Sequence, residues 1–157
     1  MQHRIRLCGI VRNGDQILLI EQHNPDTGYK RWSLPGGGME LDDRDIFAGA
    51  EREVWEETGI KVKAGALRAV AEYYYGDRAL IMLNLFIDCS APDGEDFETP
   101  SLVNTRHDDN VTDVRWWTRP ELEASGYNLS RHLQNEAFWQ ALEASEGLVV
   151  YLGRMDG

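Results

Sequence analysis

The chain has 157 residues, of which 42% are hydrophobic and 10% aromatic, so it can bury the core of one ordinary domain and is not a disordered tail. Its 27 acidic and 16 basic residues leave a formal charge of −11, which repels nucleic-acid phosphates and disfavours a general nucleic-acid-binding protein. The longest apolar stretch, residues 79–87, is too short to cross a bilayer, and the first residues lack the pattern of a signal peptide. We therefore expect a single domain over residues 1–157, in the cytoplasm and away from membranes.

The first forty residues predict a β-hairpin followed by a glycine-rich segment. Residues 5–11 and 16–22 are rich in β-formers, and Asn13-Gly14 between them is a strong hairpin signal. A loop is expected next, over 23–31, and then a short extended piece that stops at Pro35 before three consecutive glycines.

A helix is predicted over 45–58, because an acidic run precedes it and Gly59 follows as a C-terminal stop. Phe47, Ala50 and Val54 recur at helical spacing and form an apolar stripe for the core.

The rest of the chain alternates strand and helix signals. Strands are expected at 62–64, 67–75, 79–89, 111–117 and 148–152, a short helix at Pro120 and a longer helix over about 129–144. Residues 90–110 form a long polar stretch, which in compact domains is often functional. Cys8 and Cys89 each lie in an apolar segment and are expected to be buried, reduced thiols. The sum is an α/β (α+β) domain with a mixed sheet.

Three glutamates stand together on the predicted helix. Glu53, Glu56 and Glu57 occupy positions i, i+3 and i+4, so they project from one side. Such carboxylates repel one another on a plain surface but suit Mg²⁺, which prefers oxygen ligands. Arg52 can pair with Glu56 one turn on and hold the cluster. An ordinary Glu-rich solvent face is the competing interpretation.

Gly36, Gly37 and Gly38 lie just before the same helix, where missing side chains let the backbone approach a metal ion or phosphate. The segment from Pro35-Gly36-Gly37-Gly38 through Arg52-Glu53-Val54-Trp55-Glu56-Glu57-Thr58-Gly59-Ile60 resembles the Nudix box. The resemblance implies a Nudix-like α/β/α sandwich with a central mixed β-sheet. It also implies that residues 1–157 form one Nudix hydrolase domain.

The resemblance further implies an activity and its residues. Family members hydrolyse a pyrophosphate (phosphoanhydride) bond in a nucleoside diphosphate linked to another moiety, with Mg²⁺ or, as a second choice, Mn²⁺. By position, Glu53, Glu56 and Glu57 would bind the metal together with a carbonyl of the glycine run, that of Gly37 or Gly38, with Gly37 as the first choice. Arg52 would orient the glutamates. Glu53 or Glu56 would be the base that takes a proton from the attacking water.

Two positions depart from the family pattern. Arg44 stands eight residues before Arg52, where the family has a glutamate; aligning on the glycine run with one extra residue puts Asp43 there instead. The family's basic residue after the second strand is also missing, and Lys30 and Arg31 are the substitutes. Arg31 and Gly38 are therefore the predicted substrate-binding residues.

Other interpretations stay open from the sequence. One is a catalytically inactive Nudix-like nucleotide-binding or regulatory module, and others are a prenyl diphosphate isomerase and an acidic adaptor. The expected partner is a small-molecule nucleotide derivative, and a homodimer is the commonest assembly of soluble proteins. Further metal ligands are sought in the polar stretch, at Glu95, Glu98, Asp108 and Asp109.

Overall fold

The computed structural model describes residues 1–102, 105, 110–144 and 147–156. Its strands are β1 (Gln2–Asn13), β2 (Gln16–His23), β3 (Lys30–Ser33), β4 (Gly36–Gly38), β5 (Lys63–Tyr75), β6 (Leu80–Ser90), β7 (Val111–Thr118) and β8 (Val150–Asp156). Its α-helices are α1 (Ile46–Thr58), α2 (Arg119–Ala124) and α3 (Glu136–Glu143).

The strands form one mixed sheet in the order β3-β2-β1-β6-β5-β8, with β4 paired to β1 and β7 paired to β2. The long pairing of β1 with β6 and that of β5 with β8 are parallel, whereas β5 and β6 form an antiparallel hairpin. The predicted α/β (α+β) class with a central mixed sheet is confirmed. No helix in the described ranges is long and apolar enough to span a bilayer.

Side-chain alternation along β1 divides the core into two layers. Leu7 and Val11 pack with the α1 side chains Ala50 and Val54 on one face of the sheet. Cys8 and Ile10 point to the opposite face and join a cluster that includes α2 and α3 residues. The sheet is thus enclosed by helices on both faces, which is the predicted α/β/α arrangement. Cys8 and Cys89 are both buried and free, as expected.

Helix α1 begins and ends as the sequence predicts. The side chain of Asp45 accepts a hydrogen bond from the backbone N–H of Ala48 at 2.8 Å and caps the N-terminus. Gly59, at φ 72°, adopts the left-handed conformation that ends the helix. The apolar stripe is buried, since Ala50 and Val54 are fully enclosed and Phe47 packs against them.

The structure adds one element and corrects another. The glycine run Gly36–Gly38, for which no element was predicted, pairs with β1 as the short strand β4. The longer helix expected over 129–144 is interrupted: a 3₁₀ turn at Arg131–Gln134 precedes α3, which starts only at Glu136. Asn135 causes the break, since its side chain accepts from the N–H of Ala137 and caps a new helix.

The close packing of α1 on the sheet yields a prediction. A Cβ at Gly9 of β1 would stand 2.3 Å from Cγ2 of Val54, whereas a Cβ at Gly65 would meet nothing nearer than 3.9 Å. We expect Gly9→Ala to lower the free energy of unfolding by about 1–3 kcal/mol through overpacking. Gly65→Ala, the matched control, should stay within about 0.5 kcal/mol of the parent in urea unfolding. Equal stability of the two variants would contradict this packing.

Candidate active site

The three glutamates of α1 are buried rather than solvated. Glu53 is 6% exposed, Glu56 7% and Glu57 1%, although all three carry ionisable groups. A Glu-rich solvent face would leave such side chains in water, so that competing interpretation of the sequence is wrong. Buried carboxylates require donors nearby, because an uncompensated buried charge is strongly unfavourable.

Arg52 supplies most of the compensation on one side of this cluster. Its Nη1 lies 2.8 Å from Oε1 of Glu53 and 3.3 Å from Oε2 of Glu56, so the expected i,i+4 pair is present. Its Nε and Nη2 donate to the two carboxylate oxygens of Asp43 at 2.8 and 2.9 Å. The hydrogen bonds that Arg52 donates to Asp43, ahead of the one it donates to Glu53, raise the pKa of Arg52, and the bonds to Asp43 lower the pKa of that carboxyl. With the carboxylate of Glu40 also 3.5 Å from Nη1, Arg52 is held as a cation among four carboxylates.

The acidic partner of Arg52 decides between the two alignments considered for the segment before α1. Arg44 points outward, with its side chain 80% exposed, and pairs only with Asp45 at 3.5 Å within the described residues. Asp43 is the residue that reaches Arg52 and also accepts from the N–H of Glu40 at 2.8 Å. Asp43, and not Arg44, therefore lies beside Arg52, as the alignment with one extra residue requires.

Strand β4 lies directly against the acidic cluster. The N–H of Gly36 donates to Oε1 of Glu57 at 2.6 Å, and the carbonyl of Gly36 accepts from Nη2 of Arg6 at 2.8 Å. A Cβ at Gly37 would stand 2.5–2.6 Å from the carboxylate atoms of Glu53, so only glycine allows this approach. The carbonyl of Gly38 accepts from Arg52 at 3.3 Å. The predicted metal-binding residues and Gly38 are thus brought together.

The chemistry of these residues fits a hard divalent cation. Three carboxylates and a glycine strand without side chains offer the oxygen ligands that Mg²⁺ prefers, in a cradle that a Cβ at Gly37 would fill. Among the described residues, no three His, Cys, Asp or Glu side chains converge as a ready-made metal site. Arg52 contacts Glu53 and Glu56, so a bound cation would compete with its guanidinium for these oxygens.

Two opposing effects act on the pKa of Glu53. Burial raises the pKa of Glu53, while the hydrogen bond and positive charge of Arg52 act in the opposite direction. The raised pKa reflects the cost of holding a carboxylate away from water. Positive charge brought to Glu53 therefore favours its ionised form.

Lys30 and Arg31, the predicted substitutes for the missing basic residue after the second strand, have different surroundings. Lys30 lies 3.8 Å from Glu21 and is paired with it. Arg31, half-buried on β3, forms no side-chain hydrogen bond or ion pair within the described part of the chain. Arg31 does not touch the glutamates; it lines a cleft between the β2–β3 loop and the β5–β6 hairpin.

His132 was not identified from the sequence as a buried polar group close to Arg31 and Arg6. His132 lies in contact with the hydroxyl of Tyr73, 3.2 Å from Nδ1, and with that of Ser130, 3.0 Å from Nε2. Burial, followed by the charges of Arg31 and Arg6, lowers the pKa of His132 to about 3. The nearby Arg6 could have been placed from the sequence, because it lies two residues before Cys8 in β1 and therefore on the same face of the strand.

Two of the four additional ligands sought in the polar stretch lie within the described residues. Glu95 and Glu98 are exposed on the segment between β6 and β7. Asp108 and Asp109 lie outside the described residues.

Comparison with known proteins gives a family match over most of the chain. The family model of the NUDIX domain matches residues 2–136 of the chain. A MutT-like protein from Streptomyces ambofaciens is 41% identical over 69 residues, which is 43% of this chain and 42% of that protein. The human diphosphoinositol polyphosphate phosphohydrolase 3-alpha is 43% identical over 67 residues, 42% of this chain and 38% of that enzyme. The chain thus spans about 40% of the length of the curated relatives it matches.

Solved structures share the fold over nearly the whole chain. The MutT protein from Methanosarcina mazei superposes with a TM-score of 0.67 at 21% identity, over 91% of this chain and 97% of that one. An ADP-ribose pyrophosphatase from Streptococcus suis gives 0.61 at 22% identity, over 94% and 98%. At these identities the likeness concerns the fold.

The buried imidazole of His132 yields a pH prediction. Its pKa is about 3 in the folded state and about 6.5 when unfolded, so between these values only the unfolded state gains the proton. Stability should therefore fall as the pH falls below 6.5, by about 1.4 kcal/mol per pH unit from this group. We expect His132→Gln to flatten this dependence in urea unfolding measured at pH 7, 6, 5 and 4. Parallel curves for parent and variant would contradict it.

Proposed function

The chain belongs to the NUDIX family, and from that premise we propose that it hydrolyses a pyrophosphate bond in a nucleoside diphosphate linked to another moiety, with Mg²⁺ as cofactor. The observation that carries the proposal is the burial of Glu53, Glu56 and Glu57 against the glycine strand β4. Such a cluster is costly for stability, which a site that binds a cation and phosphate would explain. Mn²⁺ is the second ion we propose.

Glu53, Glu56, Glu57 and the carbonyl of Gly37 would hold the ion. When bound, Mg²⁺ supplies charge neutralisation at the phosphate oxygens and activation of water. Arg52 keeps Glu53 and Glu56 in place, since Asp43 fixes the other side of its guanidinium. Glu53 or Glu56 would accept the proton of the attacking water.

Binding of the substrate phosphates needs cations of the protein itself. Arg31 and the backbone of Gly38 are the residues we propose for this, Arg31 because its half-buried guanidinium has no ion-pair partner among the described residues. Guanidinium groups bind phosphate with two parallel hydrogen bonds, which orients as well as attracts it. An anionic substrate can thus approach a chain with a formal charge of −11.

The alternatives have less support. The inactive binding module was suggested by Arg44, but Asp43 makes the contact to Arg52 that the departure put in question. Isomerisation by a reactive cysteine is disfavoured, because burial raises the pKa of Cys8 and raises that of Cys89 to about 12. An acidic adaptor would have no need to bury its carboxylates.

We extend the proposal to the organisation of the chain. Residues 1–157 would act as one domain, because β8 lies beyond the matched residues 2–136 and pairs with β5 of the same sheet. A cytoplasmic location is supported by the two free, buried thiols, which are typical of reducing compartments. A homodimer is the proposed assembly, on the general frequency of two-fold pairs.

The first test is a panel of nucleotide derivatives with Mg²⁺ and with EDTA. We expect cleavage with Mg²⁺ alone, and a loss of at least about 100-fold in kcat for Glu56→Gln and for Glu57→Gln, because a ligand charge is removed while size is kept. Glu143→Gln, at an exposed position of α3, is the matched control and should keep the parent rate. Near-normal activity of both site variants would overturn the assignment of these glutamates.

A second test uses the contact between Gly37 and Glu53. The Cβ of Gly37→Ala would collide with the Glu53 carboxylate, and a displacement of about 1 Å at a site can cost about 100-fold in rate. Gly38→Ala meets no atom within 4 Å and should lose less. The same Gly37→Ala change should cost less in a Glu53→Asp background, since the shorter side chain leaves room. Additive losses in this double-mutant cycle would contradict the contact.

A further inference from the structure

A cleft of about 540 Å³ opens between the β2–β3 loop and the β5–β6 hairpin. Its volume lies within the range of pockets that bind small molecules. One wall is formed by Tyr29 and Arg31, and the other by Tyr75 and Arg78. None of these four residues belongs to the acidic cluster of α1.

Two arginines bring positive charge to the cleft. Neither Arg31 nor Arg78 forms an ion pair with another residue that the structure describes, and Arg78 lies only over the ring of Tyr75, 5.9 Å from its centroid. Among the described residues that line the cleft, Asp26 is the single carboxylate and Arg31 and Arg78 are the arginines. On a chain of formal charge −11, these two arginines offer a local site for an anion.

The same walls carry groups suited to an aromatic base. Tyr29 is 50% exposed and Tyr75 is half-buried, so both rings retain accessible surface. Aromatic side chains and arginine planes stack on nucleobases of any sequence. Gln22 and Asn24 also line the cleft, and their amides can both donate to and accept from the polar edge of a base.

The cleft and the acidic cluster are joined through a short piece of chain. Arg31 and Gly36 are five residues apart, which spans at most about 18 Å in an extended chain. The charges of Arg31 in β3 and of Arg6 both lower the pKa of His132, and Arg6 also donates a hydrogen bond to the Gly36 carbonyl in β4. A ligand lying along β3 can therefore reach from the cleft toward β4.

We propose that this cleft binds the nucleoside monophosphate part of the substrate, with the base at Tyr29 and Tyr75 and the adjacent phosphate at Arg31. The inference rests on the proposed hydrolase function and assigns the base and the adjacent phosphate of its nucleotide substrate to this cleft. An inositol polyphosphate has no aromatic ring that could stack on these tyrosines.

Another aromatic pocket offers a comparison. It is lined by Trp32, Tyr127 and Lys30 and shares Tyr29 with the proposed cleft, but the ammonium of Lys30 lies 3.8 Å from Glu21. Within the described residues, this pocket therefore lacks an arginine without an ion-pair partner. Tyr127 lines only this pocket and Tyr75 only the proposed cleft, so variants of these two tyrosines distinguish the two sites.

The first experiment needs no metal and no turnover. AMP, GMP, CMP and UMP are titrated in EDTA, by calorimetry, into the parent protein and the variants Tyr29→Leu, Tyr75→Leu, Tyr75→Phe, Arg31→Gln and Tyr127→Leu. Loss of a stacking ring should weaken binding about tenfold for Tyr29→Leu and Tyr75→Leu. Tyr75→Phe, which keeps the ring, and Tyr127→Leu should match the parent. Thermal unfolding identifies any variant that has lost its fold. Tyr75→Leu, compared with Tyr75→Phe, then decides, because Tyr75 lines the proposed cleft and not the comparison pocket.

The second experiment separates this inference from the proposed function. With Mg²⁺ and a cleaved nucleoside diphosphate derivative, Tyr29→Leu should raise KM about tenfold and leave kcat within about twofold, because it acts on binding alone. Absence of hydrolysis by the parent would overturn the proposed function, while the metal-free titration still decides the cleft. Failure of all four nucleotides to bind, or weakening by Tyr127→Leu instead of Tyr75→Leu, would overturn the assignment of the cleft.

Discussion

Burying three carboxylates on one side of α1 is the constraint on which the rest of the site depends. A buried carboxylate is stable only if donors replace the water it loses. Arg52, in the same helix, donates hydrogen bonds to Glu53 and Glu56, and the N–H of Gly36 in β4 donates one to Glu57. Asp43 then fixes Arg52 from the chain before the helix. These contacts bind the helix, the preceding turn and the glycine strand into one unit.

The glycines follow from the same constraint. Strand β4 can lie against Glu53 only if position 37 has no side chain, and β1 can approach Val54 only if position 9 has none. Their role is therefore close approach, since neither residue is among those with positive φ. Where the backbone comes this near to carboxylates, its polar groups become available to them and to a ligand between them.

Local charge and net charge have different consequences in this protein. The chain as a whole repels anions, yet Arg6, Arg31 and Arg52 lie around the path from the cleft to the acidic cluster. Arg6 and Arg52 are engaged by the protein itself, whereas Arg31 has no ion-pair partner in the described ranges. An anionic substrate is thus attracted at one place and repelled elsewhere, which favours selective over general phosphate binding.

Much of the fold and part of the site could be predicted from the sequence because they depend on neighbours along the chain. Helix α1, its caps at Asp45 and Gly59, and the common side of Glu53, Glu56 and Glu57 all follow from contacts within four residues. Local signals failed at Asn135, where a capping side chain divided the expected helix.

Tertiary structure alone decided which of these groups are buried and what they touch. Gly36 meets Glu57 across 21 residues, and Tyr73 meets His132 across 59. The choice of Asp43 over Arg44 also depended on which side chain faces Arg52 after the turn is formed. The periodicity of each element and the residues that end it can be seen in the local sequence. The burial and pairing of charged groups depend instead on how elements that are distant in the chain pack against one another.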